Sequence, residues 1–219
     1  AASDVYKRQV QTVVLPILGQ IIMGLSIDHF GLFHSPQTQV SAMRVLGALV
    51  VLVGIVVTLG MGRKSVTGDA EGAEVWLYRL IGVGVGMGSS IQAAVNGYLG
   101  TIAGSSLHAA EINLAVGAVL LLIAVLATSP KQLTRTVQPG PWWMWLGGVV
   151  GATFVIGGAT LVPILGTATT VIAFNAGTIV GGQVMESVGA FGARKTPIDA
   201  TRALGLAVII AGVLAVRLL

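Results

Sequence analysis

Apolar residues run in long, almost chargeless blocks separated by short polar breaks, and seven such blocks follow one another along the chain. They lie at about 10–27, 42–61, 76–99, 107–128, 142–162, 166–188 and 200–219. At the helical rise, about 20 residues cross the roughly 30 Å hydrocarbon layer of a bilayer, so each block reads as a spanning helix, the first slightly short. The fifth shows the grammar most fully. Trp142, Trp143 and Trp145 stand at its start, where amphipathic indoles settle at the headgroup level, and no Lys, Arg, Asp or Glu occurs before Pro163. Gly147 and Gly151 are four apart and are expected to let a neighbouring helix approach closely. In the third block, Gly82, Gly84, Gly86 and Gly88 form two overlapping small-xxx-small pairs with the same expectation.

The polar breaks organise these blocks. Ser3–Gln9 resembles the translation of a sequencing-library adapter, so residues 1–9 are set aside as a scar and the chain is expected to begin inside a longer gene. Asp28, His29 and Phe30 are expected to leave the membrane, followed by a turn-rich loop containing Pro36. Residues 63–75, with Arg63, Lys64, Asp69, Glu71 and Glu74, form a polar linker between two units. An internal repeat spans that linker. Arg44-Val-Leu-Gly47 with Gly54 matches Arg202-Ala-Leu-Gly205 with Gly212, and Phe30-Gly31 is paired with Phe191-Gly192 across a loop three residues longer in the first copy. Residues 10–62 are thus expected to be the last two helices of a beheaded first repeat, and 76–219 a complete five-helix second repeat.

Composition confirms the class. The 219 residues are 54% hydrophobic and 9% charged, with 31 glycines, too little polar surface for a soluble globule of this size. The fold class is therefore all-α integral membrane, without the period-two alternation of a barrel. The net charge of +4 does not indicate nucleic acid, because the basic residues stand singly or in pairs between apolar runs. If the helices alternate, Arg63, Lys64, Arg79, Lys131, Arg135, Arg194, Lys195 and Arg202 share one side, with Arg44 and Arg217 on the other. The positive-inside rule makes the first side cytoplasmic and puts Leu219 outside. Five helices per unit make consecutive copies antiparallel, an arrangement common in transporters.

Candidate chemistry is sparse. Gln92 and Asn96 share a helix face, and Asn175 lies mid-helix; buried amides in lipid need partners, either another helix or a substrate. Asn113 and Glu111 stand near the start of the fourth block and Glu186 near the end of the sixth. An intramembrane carboxylate can couple proton movement, and Glu111 is the better candidate, although both acids lie close enough to an interface to be satisfied by water or by helix ends. His29, His34 and His108 lack metal-ligand spacing. The glycines at 82–88 lack the strand and lysine of a nucleotide loop. No nucleophile elbow or zinc-binding helix occurs, and an enzyme is not expected. The chain has no cysteine, which removes disulfides and thiol chemistry.

Taken in order, Ile91-Gln92, Asn96, Ala109-Ala110, Trp143, Trp145-Leu-Gly-Gly, Pro163, Leu165-Gly166, Gly182-Gln183 and Arg202-x-Leu-Gly205 resemble the YdcZ-type branch of the drug/metabolite transporter superfamily. Gly19-Gln20 and Ile27-Asp28-His29-Phe30-Gly31 resemble that family's fourth-helix exit. The chain departs from the pattern at Asn113-Leu114, and Gly189-Ala190 stands where the first copy is read as having Asp28-His29, so an acidic role at that exit is expected in one half only. The resemblance implies five-helix units and an exporter of the bacterial cytoplasmic membrane. The expectation is a secondary transporter of small metabolites, the competing reading a non-transporting membrane scaffold. Gln92, Asn96, Asn175 and Asn113 are the expected substrate contacts and Glu111 the coupling candidate. The expected partners are a small-molecule substrate, the lipid bilayer and optionally a second copy in a homodimer, with no nucleic acid, cofactor or metal.

Overall fold

The structure is a computed structural model that describes residues 2–59, 73–134, 140–193 and 195–218, with side chains from Val13 onward apart from 73–75, Gln132 and Leu218. Among these residues there are seven α-helices and no strand. They are α1 (Ala2–Phe30), α2 (Ala42–Thr58), α3 (Ala73–Ile102), α4 (Ser106–Thr128), α5 (Leu146–Leu165), α6 (Thr167–Val188) and α7 (Ala200–Leu218). Each coincides with one apolar block. Four segments are long and apolar enough to cross a membrane: Val13–Phe30, Ser106–Thr128, Trp142–Leu165 and Ala200–Arg217. The helix α2 is apolar but short, while α3 and α6 have the length and carry more polar residues. Most of the linker read at 63–75 lies outside the described residues, as do Arg135 and Arg194.

Close packing is confined to particular glycines. The helices α2 and α7 run antiparallel with their backbones touching, since a Cβ built on Gly54 would lie 2.7 Å from the Ile209 nitrogen and one on Gly205 2.6 Å from that of Thr58. Gly47 meets Val216, and Gly212 meets Val51, in the same way. The contact of Gly47 with the 212–216 turn is matched by that of Gly205 with the 54–58 turn, the symmetry two inverted copies require. Beside this seam a core of Ile17, Ile21, Val51, Ile55, Ile172 and Ile209 joins α1, α2, α6 and α7. Gly86 packs against the Pro16 carbonyl and Gly19 against that of Val83, which holds α1 along α3.

The other glycine expectations are corrected. Nothing lies within 4 Å of a Cβ built on Gly147 or Gly151, nor on Gly84 or Gly88. A spacing of four puts two glycines on one face, but which face a neighbour covers depends on where the rest of the bundle sits; Gly82 and Gly86 face α1, whereas Gly84 and Gly88 are rotated away from it.

The repeat register is also corrected. Gly31 (φ 63°) and Gly189 (φ 71°) each end a helix in the left-handed conformation, and Phe33 (φ 55°) and Phe191 (φ 54°) each follow two residues later with the same strained turn. Beyond it, the Thr38 amide donates to the Asp28 carbonyl at 2.9 Å and the Thr196 amide to that of Glu186 at 2.9 Å. Ser41 and Asp199 then cap α2 and α7 by accepting from the Arg44 and Arg202 amides. One constant spacing therefore relates the copies from Gly19 and Gly177 to Gly54 and Gly212, with no insertion. Matching Phe30-Gly31 to Phe191-Gly192 placed the extra residues in a loop that has none, because a two-letter match outweighed the backbone turn.

Candidate functional site

Two polar features stand out in an otherwise apolar bundle: an amide-lined cavity between α1, α3, α5 and α6, and an acid–arginine pair in each copy of the repeat. The cavity measures about 210 Å³. Gln92 and Asn96 enter it from one face of α3, Gln20 from α1, Asn175 from α6, and Phe154 and Phe174 form an apolar wall with ring centroids 4.6 Å apart. Ala93, Gly158 and Ala159 keep the space open because their side chains are small.

Three of the four expected substrate contacts thus meet around one space. The Asn175 amide donates to Gln20 Oε1 at 2.5 Å and to the Val171 carbonyl at 3.0 Å, tying α6 to α1. Gln92 Nε2 donates to Asn113 Oδ1 at 3.2 Å, so Asn113 sits one step behind the cavity on α4. Asn96 is different. Its residue is 8% exposed, and its side chain makes no hydrogen bond to any described residue, so its amide is open toward the cavity. Its amide atoms are reached only from the cavity side and have no protein partner among the described residues, which makes it the lining amide most available to a ligand. Glu111 lies away from the lining, on an exposed part of α4.

Asp28 is the residue whose burial sequence reasoning did not foresee. It lies in the last turn of α1, where the chain is expected to leave the membrane, and is 0% exposed. Its Oδ1 accepts from the Thr167 amide at 2.7 Å and from Ser35 Oγ at 3.0 Å. Its Oδ2 accepts from the Ala168 amide at 3.0 Å and from Arg44 at 3.2 Å. The carboxylate thereby satisfies the first free N–H groups of α6 and sits at the positive end of its dipole. Gly166, at φ 84°, makes room for it: a Cβ there would lie 2.8 Å from Asp28 Oδ2. Ser35 Oγ and Thr167 Oγ1, 3.0 Å apart, complete the cluster. Thr170, one turn further along α6, lines the cavity, so this cluster lies one helical turn from the cavity wall.

Glu186 is the counterpart of Asp28 in the second copy, and Arg202 that of Arg44. The expectation of an acid at this exit in one half only came from the mistaken register and is corrected here. The state of the two pairs differs. Arg44 and Asp28 are 6% and 0% exposed, whereas Arg202 and Glu186 are 28% and 46% exposed and meet at 3.5 Å. Arg202 is held as much by Gln183 Oε1 at 3.1 Å. A signal was available in the sequence: in both copies the acid precedes the arginine by 16 residues. The partners Thr167 and Ala168 were not legible, being 139 and 140 residues from Asp28.

Helices of membrane-crossing length and glycine seams in place of a large apolar core define an integral membrane protein, here with an amide-lined cavity inside it. The chain belongs to the family described as "Putative inner membrane exporter, YdcZ", which it matches over residues 9–57 and 77–215. None of the curated proteins and none of the solved structures matches it. The family places the chain in the inner membrane and among transporters, not among enzymes.

Proposed function

We propose that the protein exports a small molecule through the amide cavity by alternating access, with Asp28–Arg44 and Glu186–Arg202 as its two gates. The observation that supports this most directly is the inequality of two equivalent pairs. One is buried and fully bonded, the other half-exposed and loose, which is how the two ends of an alternating carrier differ in any single state. By the charge distribution the Asp28 gate faces outward, so this form is open toward the cytoplasm, as an exporter is when it loads. The two R-x-L-G helices are then corresponding members of inverted units, and the protein works as a carrier without a catalytic step. Glu111, away from the cavity, would couple proton movement only from the α4 surface.

The scaffold reading has one observation in its favour: Gln92–Asn113 and Asn175–Gln20 already bond helix to helix. Asn96 speaks against it, since a packing amide would be paired.

The test needs no substrate, and the absence of native cysteine makes it clean. A cysteine replacing Asn96 is labelled with a membrane-impermeant maleimide in inside-out and in right-side-out vesicles. Labelling is expected in inside-out vesicles alone, and adding Asp28→Asn should bring labelling from the outer face. Protection on both faces, unchanged by Asp28→Asn, would leave the scaffold reading in place.

A further inference from the structure

The chemistry of the cavity wall assigns the class of molecule it takes. We infer that the ligand is uncharged, about the size of one substituted ring, and carries both a hydrogen-bond donor and an acceptor, as a primary carboxamide does. This rests on the transport reading above for its biological role, but its evidence is the lining itself.

Charge is the first criterion. Among the described residues, the lining contains no Asp, Glu, Lys, Arg or His. An ion moved from water into such a space keeps most of its desolvation penalty, because nothing of opposite sign repays it. The nearest feature that could hold an anion, the N-terminus of α6, is occupied by the Asp28 carboxylate, and that charge is in turn met by Arg44. Neither an anion nor a cation finds a free partner at the cavity.

Hydrogen-bonding pattern is the second. Asn96 offers an amide N–H and a carbonyl, both unused, in a residue more than nine-tenths buried. Asn175 spends its N–H groups on Gln20 and Val171, and Gln92 gives an N–H to Asn113, so their carbonyl oxygens remain as acceptors. A ligand that only accepts would leave these carbonyls unanswered, and one that only donates would leave the Asn96 N–H. Leaving such groups unpaired is what makes polar sites selective.

Shape is the third. Phe154 and Phe174, with ring planes at 53°, offer an edge and a face to a flat apolar group. At about 210 Å³ the space is smaller than the roughly 300–1,000 Å³ of drug-sized sites, which limits the ligand to a single ring or its equivalent.

Benzamide, benzoate and benzamidine share one shape and carry charges of zero, minus one and plus one, and they separate these criteria. Binding of each labelled probe is measured by equilibrium dialysis against the full chain in lipid nanodiscs. Benzamide is expected to bind at least tenfold more tightly than either ion, and Asn96→Leu to weaken it at least tenfold. Phe154→Ala, which trims a half-exposed ring and gives up its contact with Phe174, should also weaken benzamide and serves if Asn96→Leu does not fold. The inference is overturned if benzoate or benzamidine binds as well as benzamide, if none of the three binds, or if benzamide binding ignores these variants. Failure of the transport reading looks different: benzamide binds as described while Asn96→Cys stays protected from both faces of the membrane.

Discussion

At the scale of single residues, Asp28 decides more than any other side chain. A buried carboxylate is tolerated only when its charge and its lone pairs are met, and here two backbone N–H groups, a hydroxyl and a guanidinium meet them. Asp28→Leu leaves Arg44 buried without a counter-charge and should lower stability by about 3–5 kcal/mol, as for other broken buried pairs. Adding Arg44→Leu should recover a large part of the loss, since an apolar replacement of both partners removes the orphaned charge. Glu186→Leu should cost less than about 1 kcal/mol, because its pair is half-exposed and loosely formed. Unfolding of the three variants in detergent ranks them, and equal losses for Asp28→Leu and Glu186→Leu would contradict the inequality of the gates. The amides at 92, 96 and 175 were legible as polar residues in apolar helices. The importance of Asp28 was not, because an acid near a helix end reads as an exit to water unless its distant partners are known.

At the scale of helices, glycine spacing announced close packing without saying where. The spacing of Gly47 and Gly54 on α2 recurs at Gly205 and Gly212 on α7, and the two sets interlock backbone to backbone. Gly54→Ala drives a Cβ into the Ile209 main chain, which a flexible side chain cannot relieve, and should cost at least about 1–3 kcal/mol. Gly151→Ala meets open space and should stay within about 0.5 kcal/mol or stabilise α5, since alanine is the better helix former. Melting curves of the two variants compare them directly, and a large loss at Gly151 would mean that another surface covers that face. Lipid-embedded helices gain little from apolar burial, so the fit at a few glycines carries association that a soluble core would spread over many side chains.

At the scale of the whole molecule, the contacts assign helix ends to two faces. Asp28 at the end of α1 reaches the start of α6, and His34 just beyond α1 stacks on Tyr98 near the end of α3 at 4.0 Å. Trp143 before α5 touches Phe191 after α6 at 5.4 Å, marking the opposite face. Single cysteines replacing Gly104, in the α3–α4 turn, and Gly189, at the end of α6, should therefore differ in intact cells. An impermeant thiol reagent is expected to label position 104 and not 189. The reverse pattern would invert the orientation and with it the assignment of Asp28 to the outer gate.

The sequence by itself determined that the chain is an all-α membrane protein, where its seven helices lie, that an R-x-L-G helix occurs twice, and which family it resembles. Hydropathy, helical rise and turn residues are properties of neighbours in the chain, and they survive without knowledge of the fold. Tertiary structure alone decided which glycines touch a neighbour, that Gln20 and Asn175 share a wall with Asn96, and that Asp28 caps α6. It also set the repeat register, through left-handed turns at Gly31 and Gly189 that no letter-by-letter match reveals. Those facts depend on which faces meet across more than a hundred residues, and in a bilayer that choice is made by backbone fit and by the need of each buried polar group for a partner.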